Sequence, residues 1–445
     1  MRWLSASILV LALGCGNSSS VSPDGNGGGG DDGGGSGGGN TPHTVKLTLT
    51  NRPNNAGTFS FIVAYQDGTA AWQLAPAPTG DTYTFDIHAP AYGVAFTCIG
   101  ATAGSTTQVR TVTSAYFAVG ERTELTLDVP PRCSDRAAGN GVSLMGSISN
   151  RPTFGTLIVG WGNRTAFVGS QSGNFQLQAQ PGTHDLFVIH AVPEGNGDFY
   201  ADEVWVQRDV ALSSNTTKTI DFADAQSTQQ YGVDVSAIDV GARAQATTTI
   251  YTANGTQGLL VREAANWETV ALGDADMRDS DVYDQSISVM AVGHSATVTN
   301  ATNMPTDQIW VAPAPLGMPQ SSVATKMPYI TLQSMWPAYA DVAGYTWSAT
   351  QQLTGSQCGG NMSSCVVNWT AMLSPGVSGA MPGYVMPDLA SLTGWKAGLE
   401  LSAGTSILGS VTAYTSSAGA GDFPVGIPAN GTHRTFVRSD YAVIP

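Results

Sequence analysis

Charged side chains are scarce in this chain of 445 residues: only 11% are Asp, Glu, Lys or Arg, against about a quarter in ordinary soluble domains. The shortfall is largest on the basic side, with 18 Lys and Arg against 33 Asp and Glu, so the formal charge is −15. A chain without a basic excess lacks the counter-charge for phosphate, which argues against nucleic acid and anionic lipid surfaces as partners. We interpret the acidity as a source of solubility.

Motifs of the common catalytic and nucleotide-binding sites are also missing. The chain has no HExxH, GxSxG, Walker A or dinucleotide fingerprint, and its 6 histidines are scattered from His43 to His433. A hydrolase triad assembled from distant residues stays open, because triads are recognised by geometry rather than by sequence order. We therefore expect a protein that is not an enzyme, with a hydrolase as the alternative.

No apolar run reaches the roughly 20 residues that a membrane-spanning helix requires. A shorter run, residues 3–13, follows Arg2 and leads into Leu11-Ala12-Leu13-Gly14-Cys15. This stretch resembles the lipobox of bacterial lipoproteins, in which a small residue precedes one cysteine after an uncharged apolar segment. The resemblance implies that residues 1–14 are a signal peptide and that the thiol of Cys15 carries a diacylglyceryl group. An ordinary secretory signal is the alternative.

The segment after Cys15 is almost entirely Gly, Ser, Asn and Asp as far as residue 41. Such a composition has nothing to bury and loses much backbone entropy on ordering. We expect residues 15–43 to be the lipidated cysteine followed by a flexible tether. A diacylglycerol anchor needs no transmembrane helix, so the predicted location is the bacterial cell envelope, as an outer-membrane lipoprotein on its periplasmic or surface face.

Cysteines are few: beyond Cys15 the chain contains Cys98, Cys133, Cys358 and Cys365. An even number in an exported protein predicts disulfides, and four cysteines permit three pairings. Proximity in sequence favours Cys98–Cys133 and Cys358–Cys365, each pair within one predicted module. A cysteine-ligated zinc site is less favoured, because the chain has no CxxC pair or neighbouring His.

Helical periodicity is scarce, whereas alternation of apolar and polar residues recurs from end to end. Residues 45–49 (VKLTL) and 124–129 (ELTLDV) show the period of two that is typical of half-buried strands. Clusters of Gly, Pro and Asn separate such runs. The pattern predicts an all-β fold of tandem antiparallel β-sandwich modules, Ig-like or transthyretin-like.

The chain also repeats itself. Asn51-Arg52-Pro53 and Asn150-Arg151-Pro152 lie about 100 residues apart, and each is followed by Gly-Thr, an apolar strand and a Gly-led strand. In the second copy Gly173-Asn174-Phe175-Gln176-Leu177 and the turn Pro181-Gly182-Thr183 resemble the carboxypeptidase-regulatory, transthyretin-like family. The resemblance implies two sandwich domains that act as spacers or binding modules, at residues 44–135 and 140–226.

The second half continues with strand patterns but without a clear third copy. We predict a β-rich module at residues 231–313. The last segment, residues 327–445, resembles a fibronectin type III-like sandwich, with strands at residues 330–336 and 344–349 and a corner at residues 389–395.

Acidic loops are candidates for binding Ca²⁺, which prefers six to eight oxygen ligands. The densest cluster consists of Asp274, Asp276, Asp279, Asp281 and Asp284, although Arg278 interrupts it and the glycine of an EF-hand is missing. A weaker candidate consists of Glu194, Asp198, Asp202 and Glu203. A solvated acidic loop is the alternative in both cases.

Tryptophans near predicted turns are candidates for stacking on sugar rings, namely Trp72, Trp267 and Trp395. We expect a lipid-anchored cell-envelope protein with a structural, adhesive or ligand-binding role. The alternatives are a carbohydrate-binding surface lipoprotein and a hydrolase with an unrecognised site. The expected partners are the membrane, through the anchor, and polysaccharide or another envelope protein, and no cofactor is expected apart from the candidate Ca²⁺.

Overall fold

The computed structural model describes residues 42–101, 107–134, 141–162, 164–168, 172–179, 181–193, 199–238, 242–263, 268–358 and 363–445. The predicted signal peptide, Cys15, most of the predicted tether, Trp267, and Glu194 and Asp198 of the weaker calcium candidate lie outside the described residues. The fold is all-β, with about 58% strand and 5% helix, which confirms the predicted class. The helices of the described part are all too short or too polar to cross a membrane.

The first sandwich consists of two facing sheets. Its strands are β1 (His43–Thr50), β2 (Ile62–Asp67), β3 (Gln73–Leu74), β4 (Thr82–Ile87), β5 (Ala91–Ala101), β6 (Thr107–Ala118) and β7 (Glu124–Asp128), followed by a 3₁₀ turn at Pro131–Cys133. One sheet has the order β4-β1-β7 and the other contains β6-β5-β2-β3. Strand β1 pairs antiparallel with β4 and parallel with β7.

The second sandwich repeats the order of these seven strands and adds an eighth. Its strands are β8 (Val142–Ser149), β9 (Thr156–Trp161), β10 (Arg164–Val168), β11 (Asn174–Ala179), β12 (Gly182–Pro193), β13 (Phe199–Leu212), β14 (Thr216–Asp221) and β15 (Gln226–Ser227), with a 3₁₀ turn at Phe222–Asp224. The sheets are β11-β8-β14 and β10-β9-β12-β13-β15. Asn51 and Asn150, which open the repeated Asn-Arg-Pro, have φ values of 57° and 49°. The sequence repeat therefore corresponds to one topology, and Asn suits the left-handed turn in both copies.

The remaining strands form two further groups. The first group is β16 (Gln229–Asp234), β17 (Arg243–Tyr251), β18 (Gln257–Glu263), β19 (Glu268–Ala271), β20 (Val282–Ala291), β21 (His294–Thr302) and β22 (Gln308–Ile309). The second is β23 (Gln320–Thr325), β24 (Thr331–Met335), β25 (Val342–Thr354), β26 (Ser364–Leu373), β27 (Gly383–Val385), β28 (Ile407–Ser416) and β29 (His433–Val443). Helix α1 spans Pro375–Ser378, and 3₁₀ turns span Gly355–Cys358 and Gly419–Asp422.

One 12-stranded sheet runs through three of the predicted modules, in the order β18-β17-β20-β21-β29-β28-β25-β26-β6-β5-β2-β3. Strand β21 pairs antiparallel with β29, and β26 pairs in parallel with β6 from Ser364↔Thr107 to Leu373↔Tyr116. The alternation in the sequence predicts serial modules, but in the structure their edge strands join. Pairing satisfies the N–H and C=O groups that an edge strand leaves exposed.

The 12-stranded sheet is buried on both faces at strands β2, β5 and β6. Val63, Phe96 and Phe117 face the core of the first sandwich, whereas Ala64 and Ala95 face the C-terminal core. That second core includes every other residue of β26, namely Cys365, Val367, Trp369, Ala371 and Leu373. Burial on two faces suits the parallel β26–β6 pairing.

Two disulfides join cysteines that are close in sequence. Cys98 is bonded to Cys133, with Cα atoms 5.8 Å apart, and Cys358 to Cys365, with Cα atoms 5.6 Å apart. These are the pairings that proximity favours. The first ties β5 to the turn after β7, and the second closes the β25–β26 connection.

Candidate functional sites

The predicted calcium cluster is divided between separate environments. Asp281 is buried and accepts two hydrogen bonds from Arg208 of β13, with Nη1–Oδ1 and Nη2–Oδ2 distances of 3.1 and 2.7 Å. Asp274 is exposed and accepts a hydrogen bond from Gln229, whereas Asp284 lies on β20, where burial raises the pKa of its carboxyl. The other two members are Asp276 and Asp279, in the turn before β20.

These carboxylates do not converge on one point. Among the described residues, the one group of three or more His, Cys, Asp and Glu side chains close enough to share an ion is His190, Asp202 and Glu203. A cation held by the whole Asp274–Asp284 cluster would need side chains that the fold keeps apart. Calcium binding there stays a prediction, and the geometry of Asp281 favours an arginine partner instead.

Arg208 is the centre of a buried ion network between the second sandwich and the strands that follow it. Its Nη1 also donates to Oδ2 of Asp185 at 2.9 Å. Asp185 accepts further hydrogen bonds from the backbone N–H of Asp209 at 2.9 Å and from Nδ2 of Asn254 at 3.2 Å. The side chains of Asp185 and Asp281 are each 1% exposed. Buried charges of this kind are tolerated when each is paired and hydrogen-bonded.

The two carboxylates respond differently to the same guanidinium. Burial raises the pKa of Asp281 above its ordinary value, and the hydrogen bonds from Arg208 offset only part of that rise. Burial acts in the same direction on Asp185, but its hydrogen bonds from Asp209, Arg208 and Asn254 outweigh it, so the pKa of Asp185 lies below its ordinary value. Burial would lower the pKa of Arg208, yet its partners raise it, so the guanidinium keeps its charge.

Trp72 lines an open cleft of about 590 Å³ between the first sandwich and the C-terminal region. Its indole lies over Gly93 of β5 and meets Tyr116 edge-on at a centroid distance of 6.1 Å. Tyr116 in turn meets Tyr384 of β27 at 5.9 Å. The polar lining includes Gln66, Thr69, Asp388 and Ser391. Tyr384 is buried, whereas Trp72 and Tyr116 are partly exposed, so these two rings and the polar side chains form the surface that the cleft offers to a ligand.

The other tryptophans selected from the sequence are placed differently. Trp395 stacks on Tyr329 at 5.7 Å and 14°, and its Nε1 donates to Oε1 of Glu400 at 2.9 Å. Its ring is partly buried against the C-terminal core, as is the ring of Trp72, but it does not line the cleft. Trp267 lies outside the described residues.

Comparison with known proteins assigns no family. No protein-family model matches the chain, and no curated protein matches its sequence. A streptococcal ancillary pilin is 8% identical, with a match covering 60% of this chain and 98% of the pilin at a TM-score of 0.14. The Bacillus anthracis TIE protein is 10% identical, with a match covering 60% of this chain and 49% of that protein at a TM-score of 0.14. Scores of this size carry no argument about function.

Proposed function

We propose that this protein is a lipoprotein of the bacterial cell envelope that displays a stable β-sheet body for a structural, adhesive or ligand-binding role. The observation that carries the proposal is the order of segments along the chain. An apolar segment ends at Gly14-Cys15, a Gly-rich segment follows to residue 41, and the first strand begins at His43. A diacylglyceryl group on Cys15 would anchor the chain, and the Gly-rich segment would let the body move away from the membrane.

The β-sheet body has properties that suit a protein displayed outside the cytoplasm. The 12-stranded sheet joins regions that are distant in sequence through backbone hydrogen bonds between their strands. Two disulfides add covalent links, and oxidising compartments outside the cytoplasm preserve such bonds. These features support a durable exposed protein.

Fractionation of bacterial cells tests the anchoring. We expect the wild-type chain in the membrane fraction and in the detergent phase of a Triton X-114 separation, and Cys15→Ala in the aqueous phase. Gly14→Ala is the matched control, because it keeps a small residue before the cysteine and should still partition into detergent. Equal partitioning of wild type and Cys15→Ala would overturn the proposal.

Carbohydrate binding is the second candidate function, and the cleft beside Trp72 favours it. Three aromatic rings border this cleft, and polar groups lie within it. Polysaccharide pull-down and a glycan array are the measurements. We expect Trp72→Ala to abolish capture, whereas Phe167→Ala, which removes an aromatic ring that is 76% exposed on β10, should not. Capture that is equal in wild type and Trp72→Ala would exclude this site.

A further inference from the structure

His190 has a buried imidazole nitrogen without a hydrogen-bond partner among the described residues. The residue is 2% exposed on β12, and its Nε2 lies 3.1 Å from the carbonyl oxygen of Phe154. Because a carbonyl only accepts, Nε2 carries a proton and donates it, which in the neutral imidazole leaves a lone pair on Nδ1. Within the part of the chain that the structure describes, Nδ1 has no hydrogen-bond partner, although buried polar atoms are nearly always paired.

Two carboxylates lie in front of this lone pair. The distances from Nδ1 are 3.8 Å to Oδ2 of Asp202 and 3.9 Å to Oε2 of Glu203. A register shift explains how neighbouring residues of β13 reach one side chain: His190 pairs with Glu203, but Ala191 pairs with Ala201, so Asp202 is the extra residue of a β-bulge. Bulges re-aim side chains in this way.

These distances exceed those of a direct hydrogen bond, which is about 2.7–3.2 Å. They suit a shared ion instead, because ligands at about 2.0–2.1 Å from a tetrahedral metal lie about 3.3 Å from one another. One possible ligand atom from each of the three residues lies within 4.8 Å of the others. The two distances from Nδ1 exceed this ligand spacing by about 0.5 and 0.6 Å, so side-chain rotation of Asp202 and Glu203 would close the site.

We propose that Nδ1 of His190 and the carboxylates of Asp202 and Glu203 bind a divalent transition-metal ion of the Zn²⁺ class. One nitrogen and two carboxylate oxygens suit such an ion, whereas Ca²⁺ prefers oxygen ligands alone. The Nε2–H···O=C bond to Phe154 is the outer contact that orients a metal-bound histidine. The side chains of Asp202 and Glu203 are 47% and 38% exposed, so the remaining coordination positions face solvent.

The duplicated sandwich gives this site a structural role. An aromatic residue lies near the end of the repeated strand in each copy. Tyr65 of the first copy pairs with Val94, and Trp161 of the second copy pairs with Leu186. Four residues beyond each partner lie Cys98 in the first copy and His190 in the second.

Both of these residues contact the turn that ends their sandwich. Cys98 is cross-linked to Cys133 in the turn after β7, and the ring of His190 packs edge-on against Phe222 in the turn after β14. The second copy thus carries a metal site where the first copy carries a disulfide, and the ion holds the bulged β13 against β12.

Metal titration of the full chain, purified in mild detergent and stripped with a chelator, tests the proposal. Zn²⁺ uptake is measured by competition with a chromophoric chelator, and Co²⁺ uptake by the visible absorption of the tetrahedral ion. We expect one site that binds Zn²⁺ and not Ca²⁺, with affinity at least about tenfold weaker in His190→Gln. The matched control is His88→Gln, which removes an exposed histidine whose Nδ1 lies 3.3 Å from one carboxylate, that of Asp67.

Asp202 and Glu203 are partly exposed, so substitutions there provide a second test if His190→Gln fails to fold. The double variant Asp202→Asn/Glu203→Gln changes two surface carboxylates to amides of the same size and should lose the site. Zn²⁺ binding of unchanged affinity in either folded variant would overturn the proposal. Absence of stoichiometric Zn²⁺ binding in the wild type, or equal binding of Ca²⁺, would also overturn it.

Discussion

Replacement of Arg208 by Met should show how much the buried ion network contributes to stability. Arg208 is the cation between Asp185 and Asp281, with N–O distances of 2.9 and 2.7 Å. Met keeps the length of the side chain but removes its charge and its donors. Two nearly inaccessible carboxylates would then face each other without a cation.

The expected loss follows from the burial of these groups. Removal of one partner from a buried pair costs about 3–5 kcal/mol, because the remaining charge stays desolvated. The loss should depend on pH. Burial already raises the pKa of Asp281, and without Arg208 the pKa of Asp185 should rise as well, above its unfolded-state value of about 3.9. A carboxyl whose pKa is higher in the native state than in the unfolded state destabilises the fold at every pH above its unfolded-state pKa. The stability lost in Arg208→Met should therefore be smaller at pH 5 than at pH 7.

Equilibrium urea unfolding of wild type and Arg208→Met at both pH values is the assay. Arg438→Met is the matched control, since Arg438 and Asp440 form an ion pair at 2.7 Å in which both side chains are 43% exposed. Solvent screens that pair, so its loss should cost at most about 1 kcal/mol at either pH. An equally small loss in Arg208→Met, or a loss that grows toward pH 5, would refute the reasoning.

Two further substitutions test the second and first sandwiches. Gly155→Ala should lower the melting temperature more than Gly255→Ala. Both glycines have positive φ, at 82° and 73°, so the backbone strain is similar. A Cβ at Gly155 would lie 2.7 Å from Nε2 of His190, whereas a Cβ at Gly255 would meet open space. Equal shifts in the two variants would contradict this packing. Cys98→Ala/Cys133→Ala should lower the free energy of unfolding by about 4 kcal/mol, because the disulfide closes a loop with a sequence separation of 35. A loss under about 1 kcal/mol in urea unfolding would contradict that contribution.

Local sequence patterns predict the strands because a half-buried strand needs an apolar residue at every second position. The alternation at residues 45–49 appears as β1, whose residues Val45, Leu47 and Leu49 are fully buried. Periodicity does not specify which edge strands meet. Nothing near β6 or β26 in the sequence indicates that these strands pair in parallel, and three predicted modules therefore share one sheet.

The candidate sites were harder to predict because they depend on contacts between strands. Asp281 is conspicuous within an acidic segment, but its partner Arg208 lies on β13, where no sequence pattern marks it. Asp202 and Glu203 are visible as acidic residues, whereas His190 joins them only through a bulge. The adjacent Asp-Glu on a strand facing a histidine on the next strand is the signal that would have found this group.

Mass spectrometry of the N-terminal peptide of the mature protein, purified from bacterial membranes, tests the central claim most directly. The account predicts a chain that begins at Cys15 and carries a diacylglyceryl group on its thiol, with the Gly-rich segment intact behind it. A mature chain that begins at another residue, or that carries Cys15 with an unmodified thiol, would contradict the account.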